Sequence, residues 1–88
     1  MGSYSVRLQP SVEKDVRRIA SSEVRRIFER IEALADNPFT RGVVKLSGAE
    51  GLYRVRVGNY RIVYEVDHSL NQIVIHYIRH RRDVYRSL

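Results

Sequence analysis

The sequence predicts an α+β fold, β-α-α-β-β-β or the same order with a fourth strand after the helices, in which a two-helix hairpin covers one face of a small antiparallel-rich sheet and leaves the other open. Three observations carry that expectation. Apolar and polar residues alternate on both sides of Gly58-Asn59 across residues 51–67, the pattern of a tight β-hairpin. Residues 11–36 show apolar side chains at helical spacing, and residues 73–78 form a nearly continuous apolar run suited to a strand inside a sheet. With 88 residues, the chain is expected to form one domain spanning residues 1–88.

Residues 4–9 alternate Tyr4, Val6 and Leu8 against Ser5, Arg7 and Gln9, which predicts a first strand with one buried face. Pro10-Ser11 ends it, and Ser11 is the expected N-cap of a short helix carrying Val12, Val16, Ile19 and Ala20 on one side. Glu13 and Asp15 fall in its first turn, where the helix dipole favours acids. Ser21-Ser22 offers a break and a second N-cap. The next helix places Val24, Ile27, Phe28, Ile31, Leu34 and Ala35 on one stripe and stops at Asn37-Pro38, because a residue before proline avoids the α region. Two helices on a tight turn suggest a DNA-reading motif, but residues 22–36 carry Arg25, Arg26 and Arg30 against Glu23, Glu29, Glu32 and Asp36. A helix facing phosphates is not expected to be acidic, so an antiparallel helical hairpin covering the sheet is preferred.

Residues 39–42 connect to a short strand over residues 43–47, and a turn then leads into the hairpin. A two-residue turn at Gly58-Asn59 fixes the register. It sets Val57 opposite Tyr60, Val55 opposite Ile62 and Tyr53 opposite Tyr64 on the core face, leaving Arg54, Arg56 and Arg61 together on the other. Arg56 directly across from Arg61 costs ~0.7 kcal/mol for charges ~6 Å apart in water. So small a cost is compatible with a solvated basic face. It is equally compatible with an anion site, since guanidinium groups match phosphate bidentately. After a polar loop at residues 68–72, the apolar strand runs into Arg79, His80, Arg81 and Arg82, and a tail containing Tyr85 follows.

Composition narrows the classes of function. No apolar run approaches a membrane span, and no secretory leader is expected ahead of Tyr4. Cysteine is absent, which removes disulfides and thiolate nucleophiles and agrees with a cytoplasmic location. The net charge of +6 is uneven: residues 1–40 hold seven Lys+Arg against six Asp+Glu, residues 41–88 nine against four. The strand half therefore draws polyanions, whether nucleic acid or an acidic protein.

No metal is expected. His76 and His80 sit four apart, but four residues of strand span ~13 Å, too far for one ion. What remains is a set of arginines with histidine and tyrosine, and it has a coherent chemistry if the substrate is RNA. The 2′-hydroxyl of RNA serves as nucleophile, so the protein need only hold the phosphate, stabilise charge on its oxygens and manage two protons. Guanidinium stays protonated, which leaves Tyr85 or His80 as proton carriers.

The run KLSGAEGLYRVRVGNYRIVYEVD, followed by IVIHYIRHRRDVY, resembles the RelE branch of the RelE/ParE toxin superfamily from type II toxin–antitoxin modules. YSVRLQPSVEKDVRRI at the front and IEALADNP at the helix end extend the likeness over almost the whole chain. The resemblance implies a two-helix, antiparallel-rich fold and inhibition of translation by metal-independent cutting of mRNA in the ribosomal A site, with no cofactor. It also implies a RelB-like antitoxin partner, the ribosome with its mRNA as target, and operator DNA bound through the antitoxin.

Position by position, the family's basic pair falls on Arg54 and Arg56, where lysines are common in relatives. Its later catalytic positions fall on Arg61, Arg81 and Tyr85. Arginine in place of lysine moves a base role to Tyr85 or, as in some relatives, to a histidine such as His80. Lys45, Arg79 and Arg82 join Arg54 and Arg56 as expected RNA or phosphate contacts, Arg79 standing where glycine is frequent. A ParE-like inhibitor that binds DNA gyrase is the alternative from another class, and a remnant that only binds antitoxin is a third.

Overall fold

The hairpin forms with the anticipated register. In the computed structural model, which describes residues 4–46 and 51–80, β3 (Leu52–Val57) and β4 (Tyr60–Asp67) pair with Val57 opposite Tyr60, Arg56 opposite Arg61, Val55 opposite Ile62 and Tyr53 opposite Tyr64. Gly58 alone supplies positive φ (+58°); Asn59 stays at negative φ, so the turn draws on glycine's freedom and not on asparagine's.

Before the hairpin come β1 (Ser5–Leu8), α1 (Pro10–Arg17), α2 (Ser21–Asp36) and β2 (Val44–Lys45); after it comes β5 (Gln72–His80). The five strands form one mixed sheet in the order β1-β5-β4-β3-β2, with β1 parallel to β5 and the other pairs antiparallel. β5 lies between β1 and β4, which explains its nearly continuous apolar run: Ile73, Val74, Ile75 and Ile78 are all buried. The first strand after the helices is shorter than residues 43–47, and Ser47 lies outside the described residues.

Neither helix starts on a serine cap. Pro10 occupies the first helical position of α1, where its fixed φ and missing N–H cost nothing, so Gln9 becomes the N-cap. Ser11, thus inside the first turn, donates its hydroxyl to the His76 carbonyl at 2.9 Å. One turn later the Asp15 carboxylate accepts the Ile78 N–H at 3.0 Å. The helix in this way satisfies backbone groups of β5 beyond the end of β1. α2 is capped by Ala20, whose carbonyl receives the N–H groups of Glu23 and Val24 at 2.9 and 3.0 Å; no serine hydroxyl takes part.

Val12 of α1 and Ile27, Ile31 and Leu34 of α2 pack on Val55, Ile62, Tyr64, Val66, Ile73, Ile75 and Ile78, so both helices cover a single face of the sheet. Fully burying each such side chain contributes roughly 1.5–3 kcal/mol. Tyr64 anchors the α2 exit: its hydroxyl donates to the buried Pro38 carbonyl at 2.6 Å, and burial pushes the phenol pKa far above its ordinary value despite the opposing charge of Arg30. The expected buried face of β1 is only partly realised. Tyr4 packs against the core, but Val6 and Leu8 are each 39% exposed, because β1 is an edge strand and α2 leaves a shallow apolar groove between them and Phe28. Among the described residues, no helix is long and apolar enough to cross a membrane.

Candidate functional site

The face of the sheet opposite the helices carries the arginines in ordered rows. Strand pairing sets Arg56, Arg61 and Arg79 side by side across β3, β4 and β5. The next row is Val44, Arg54, Val63 and Tyr77, and the row beyond it is Leu52, Glu65, Val74 and Arg7. Adjacent strands lie ~4.8 Å apart, so three guanidinium-bearing residues span ~10 Å, about the reach of one phosphodiester and its neighbour. Val63, only 3% exposed, and Val74, 9%, form an apolar floor beneath these long side chains.

The electrostatics of this face favour an anion. Among the described residues, no carboxylate pairs with Arg56, Arg61 or Arg79; the ion pairs join Arg25 to Glu29, Arg26 to Glu23 and His76 to Glu65. Arg61 Nε is buried without a hydrogen-bond partner, a donor whose desolvation is left uncompensated in the isolated chain. Arg79 is held in place by its guanidinium lying 4.6 Å above the Tyr77 ring. An oxyanion seated on the Arg56–Arg61–Arg79 row relieves three like charges at once.

One irregularity decides which side chains join this face. A β-bulge where β5 passes Val63 and Tyr64 sets Tyr77 opposite Val63 but Ile75 opposite Tyr64, leaving His76 as the extra residue. Core residues therefore run Ile73, Ile75, Ile78, skipping two positions instead of one. Without the bulge, strict alternation would turn Arg79 toward the helices and His80 toward the arginines. With it, Arg79 joins Arg61, and His80 pairs with Tyr60 on the helix side, the two rings meeting edge to face at 5.3 Å. His80 borders a cavity of about 370 Å³ with Asp15, Arg18, Ile19 and Tyr60. The bulge likewise parts His76 from His80 onto opposite faces.

Of the residues anticipated from the sequence, the structure brings together Arg54, Arg56, Arg61 and Arg79. It separates His80, as above, and Lys45, which pairs with Tyr53 and so shares the alternation of the helix side at the exposed edge. Arg81, Arg82 and Tyr85 lie outside the described residues. Four members of the face went unassigned in the sequence: Arg7, Tyr77 and the pair His76 and Glu65, whose Nε2 and Oε1 lie 3.0 Å apart. Arg7 was legible as the outward residue of an alternating strand. His76 and Tyr77 were not, because a bulge inside an apolar run leaves no mark on its pattern.

Comparison with known proteins agrees with this geometry. Residues 6–85 match the family described as the ParE toxin of the type II toxin–antitoxin system, parDE. The putative toxin RelE1 of Methanocaldococcus jannaschii is 30% identical over 96% of this chain and 97% of its own length. Toxin RelE of Mycobacterium tuberculosis is 29% identical over 94% and 87%. The RelE–RelB complex of Pyrococcus horikoshii OT3 contains a chain that superposes with a TM-score of 0.80 at 31% identity, covering 90% of this chain and 96% of that one. A family match over residues 6–85, relatives named for RelE and a shared two-helix, five-strand architecture converge, and the chain belongs to the RelE branch of the RelE/ParE toxin superfamily of type II toxin–antitoxin systems.

Proposed function

We propose that this toxin is a ribosome-dependent endoribonuclease that cuts mRNA in the ribosomal A site and so stops translation. The observation that supports it most is the Arg56–Arg61–Arg79 row, free of carboxylate partners among the described residues, with the unsatisfied Arg61 Nε beneath it. A phosphodiester matches that row in charge and spacing. In the reaction the 2′-hydroxyl oxygen attacks phosphorus, the bond to the 5′-oxygen breaks, and Arg61 with Arg81 stabilises charge on the phosphoryl oxygens. Arg54, Arg56, Arg79 and Arg82 hold the flanking backbone. One proton must leave the 2′-hydroxyl and one must reach the 5′-oxygen, and guanidinium accepts neither. Family resemblance offers Tyr85 and His80 for these transfers; of the two, His80 faces the helix side of the sheet. No metal or cofactor is called for in this chemistry.

A RelB-like antitoxin neutralises the toxin by covering the arginine face, in keeping with the partner present in the Pyrococcus complex, and the toxin–antitoxin pair binds operator DNA through the antitoxin. Both act in the cytoplasm. The family model is named for ParE, which keeps one other reading in view: a toxin that binds DNA gyrase without cutting RNA. Induction of the toxin followed by primer extension on cellular transcripts separates the two. Cuts within translated codons are expected; intact transcripts together with a DNA-damage response would establish the gyrase reading instead.

A further inference from the structure

The bulge of β5 adds a second kind of chemistry to the arginine face. His76 is the extra residue it creates, and its Nε2 lies 3.0 Å from Oε1 of Glu65 on β4, whose backbone pairs with Val74 in the row next to Arg54. The two side chains keep 33% and 45% of their surface accessible, so solvent and ligand reach both. A carboxylate only accepts hydrogen bonds. In the neutral imidazole Nε2 therefore carries the hydrogen, and Nδ1 is left with a lone pair. A carboxylate that fixes the tautomer of a histidine whose other nitrogen accepts a proton is the arrangement of a general base and its orienting group.

The position suits the reaction as well as the tautomer. Arg54, Val63 and the bulge lie in one row, so Arg54 and His76 are separated by two strand spacings, ~10 Å, across the flat floor of Val63. Arg61 and Arg79 stand one row away on one side, and Arg7 opposite Val74 stands on the other. Val63 therefore lies between Arg54 and the bulge, with Arg61 in the adjoining row. β-Bulges commonly re-aim a side chain next to a reactive site, and here the bulge both exposes His76 and turns Arg79 onto the same face.

We propose that His76 is a catalytic residue of this toxin, the general base that takes the 2′-hydroxyl proton, and that Glu65 is its positioning residue. The inference rests on the RNA-cleavage reading above. The step balances without a further reagent. Nδ1 of His76 receives the 2′-hydroxyl proton as the bond from the 2′-oxygen to phosphorus forms. The bond from phosphorus to the 5′-oxygen breaks, and that oxygen takes a proton from water. The products are a 2′,3′-cyclic phosphate and a 5′-hydroxyl end.

The test uses the full chain, purified away from its antitoxin, on ribosomes programmed with a short mRNA, and measures cleavage under single-turnover conditions. His76→Gln, which preserves size and polarity, is expected to lower the rate by roughly 10² to 10⁴. Glu65→Gln is expected to give a smaller loss, in the saturating cleavage rate constant with the half-saturating toxin concentration unchanged. Imidazole added to the buffer should restore part of the rate of His76→Gly, a readout that loss of an ordinary cross-strand pair would not move. Thermal unfolding of His76→Gln checks that the variant is folded, and Glu65→Gln is a second route to the same answer if it is not. Wild-type protein that cuts while a folded His76→Gln cuts equally fast overturns the inference and leaves the ribonuclease reading standing. Loss of cleavage in Tyr85→Phe with none in His76→Gln has the same meaning. A wild-type protein that leaves the mRNA intact overturns both.

Discussion

The two faces of the sheet are built from the same strands yet answer to opposite requirements. On the helix side, Val55, Ile62, Tyr64, Ile75 and Ile78 are almost fully buried under α1 and α2, and their value lies in exclusion of water. On the other side, one residue away along each strand, Arg56, Arg61 and Arg79 crowd together with no acid among the described residues to pair them. The first face is optimised for the chain itself. The second sets like charges side by side, which is mildly unfavourable to the isolated chain, and under the proposed function an anion would offset that cost.

That contrast is open to experiment, since substitutions on the two faces should fail in different assays. Arg61→Ala is expected to have the largest effect, lowering mRNA cleavage by roughly 10² to 10³, about 3–4 kcal/mol, with thermal stability not reduced, since it also removes a charge facing Arg56. A variant that instead loses its fold would show that the open face is structural. Ile75→Ala, on the buried face of the same sheet, should do the reverse: a loss of about 2–5 kcal/mol in urea unfolding through the cavity it leaves. Tyr64→Phe should cost about 1–3 kcal/mol, because the Pro38 carbonyl stays buried without its donor. Arg56→Thr sharpens the comparison further. It removes the charge facing Arg61 and should raise stability by about 0.2–1 kcal/mol while weakening RNA binding, the two assays moving in opposite directions.

The smallest effect concerns the loop between β4 and β5. The Asp67 carboxylate accepts from the Ser69 hydroxyl at 2.6 Å and from the Ser69 and Leu70 N–H groups at 3.0 and 3.2 Å, and these bonds, that of the hydroxyl first, hold its pKa below the ordinary carboxylate value. A carboxylate depressed in the folded state adds stability above its unfolded pKa. Its contribution begins to fade as pH falls below ~3.9 and is gone once pH lies below the folded value. Acid titration of Asp67→Ala should therefore lack a shallow limb of destabilisation that the wild type shows in that range, and identical acid curves would remove the loop from the account.

How far the open face was legible depended on the distance over which register is transmitted. Arg54, Arg56 and Arg61 were assigned from the sequence because only Gly58 and Asn59 separate β3 from β4, and a two-residue turn leaves no freedom to slip. β5 follows a longer loop and carries a bulge, so its alternation could not be continued from β4. His80 was grouped with the arginines because it adjoins the basic end of β5 and by family resemblance; the structure sets Arg79, itself anticipated, and the His76–Glu65 pair on the open face instead. The serine caps failed for a local reason: Pro10 at the first helical position moved the start of α1 forward and released Ser11 to bond β5.

By itself, the amino-acid sequence determined the helices, the arginine hairpin and the concentration of positive charge in the strand half, because apolar periodicity, turn chemistry and composition act over a few residues. Family membership was legible too, since it resides in motifs spread along the chain. The tertiary structure alone decided which side chains of β5 share the arginine face. That choice depends on a bulge set by packing β5 between β1 and β4, where Ile75 and Ile78 must both reach the core, and no pattern within a single strand records it.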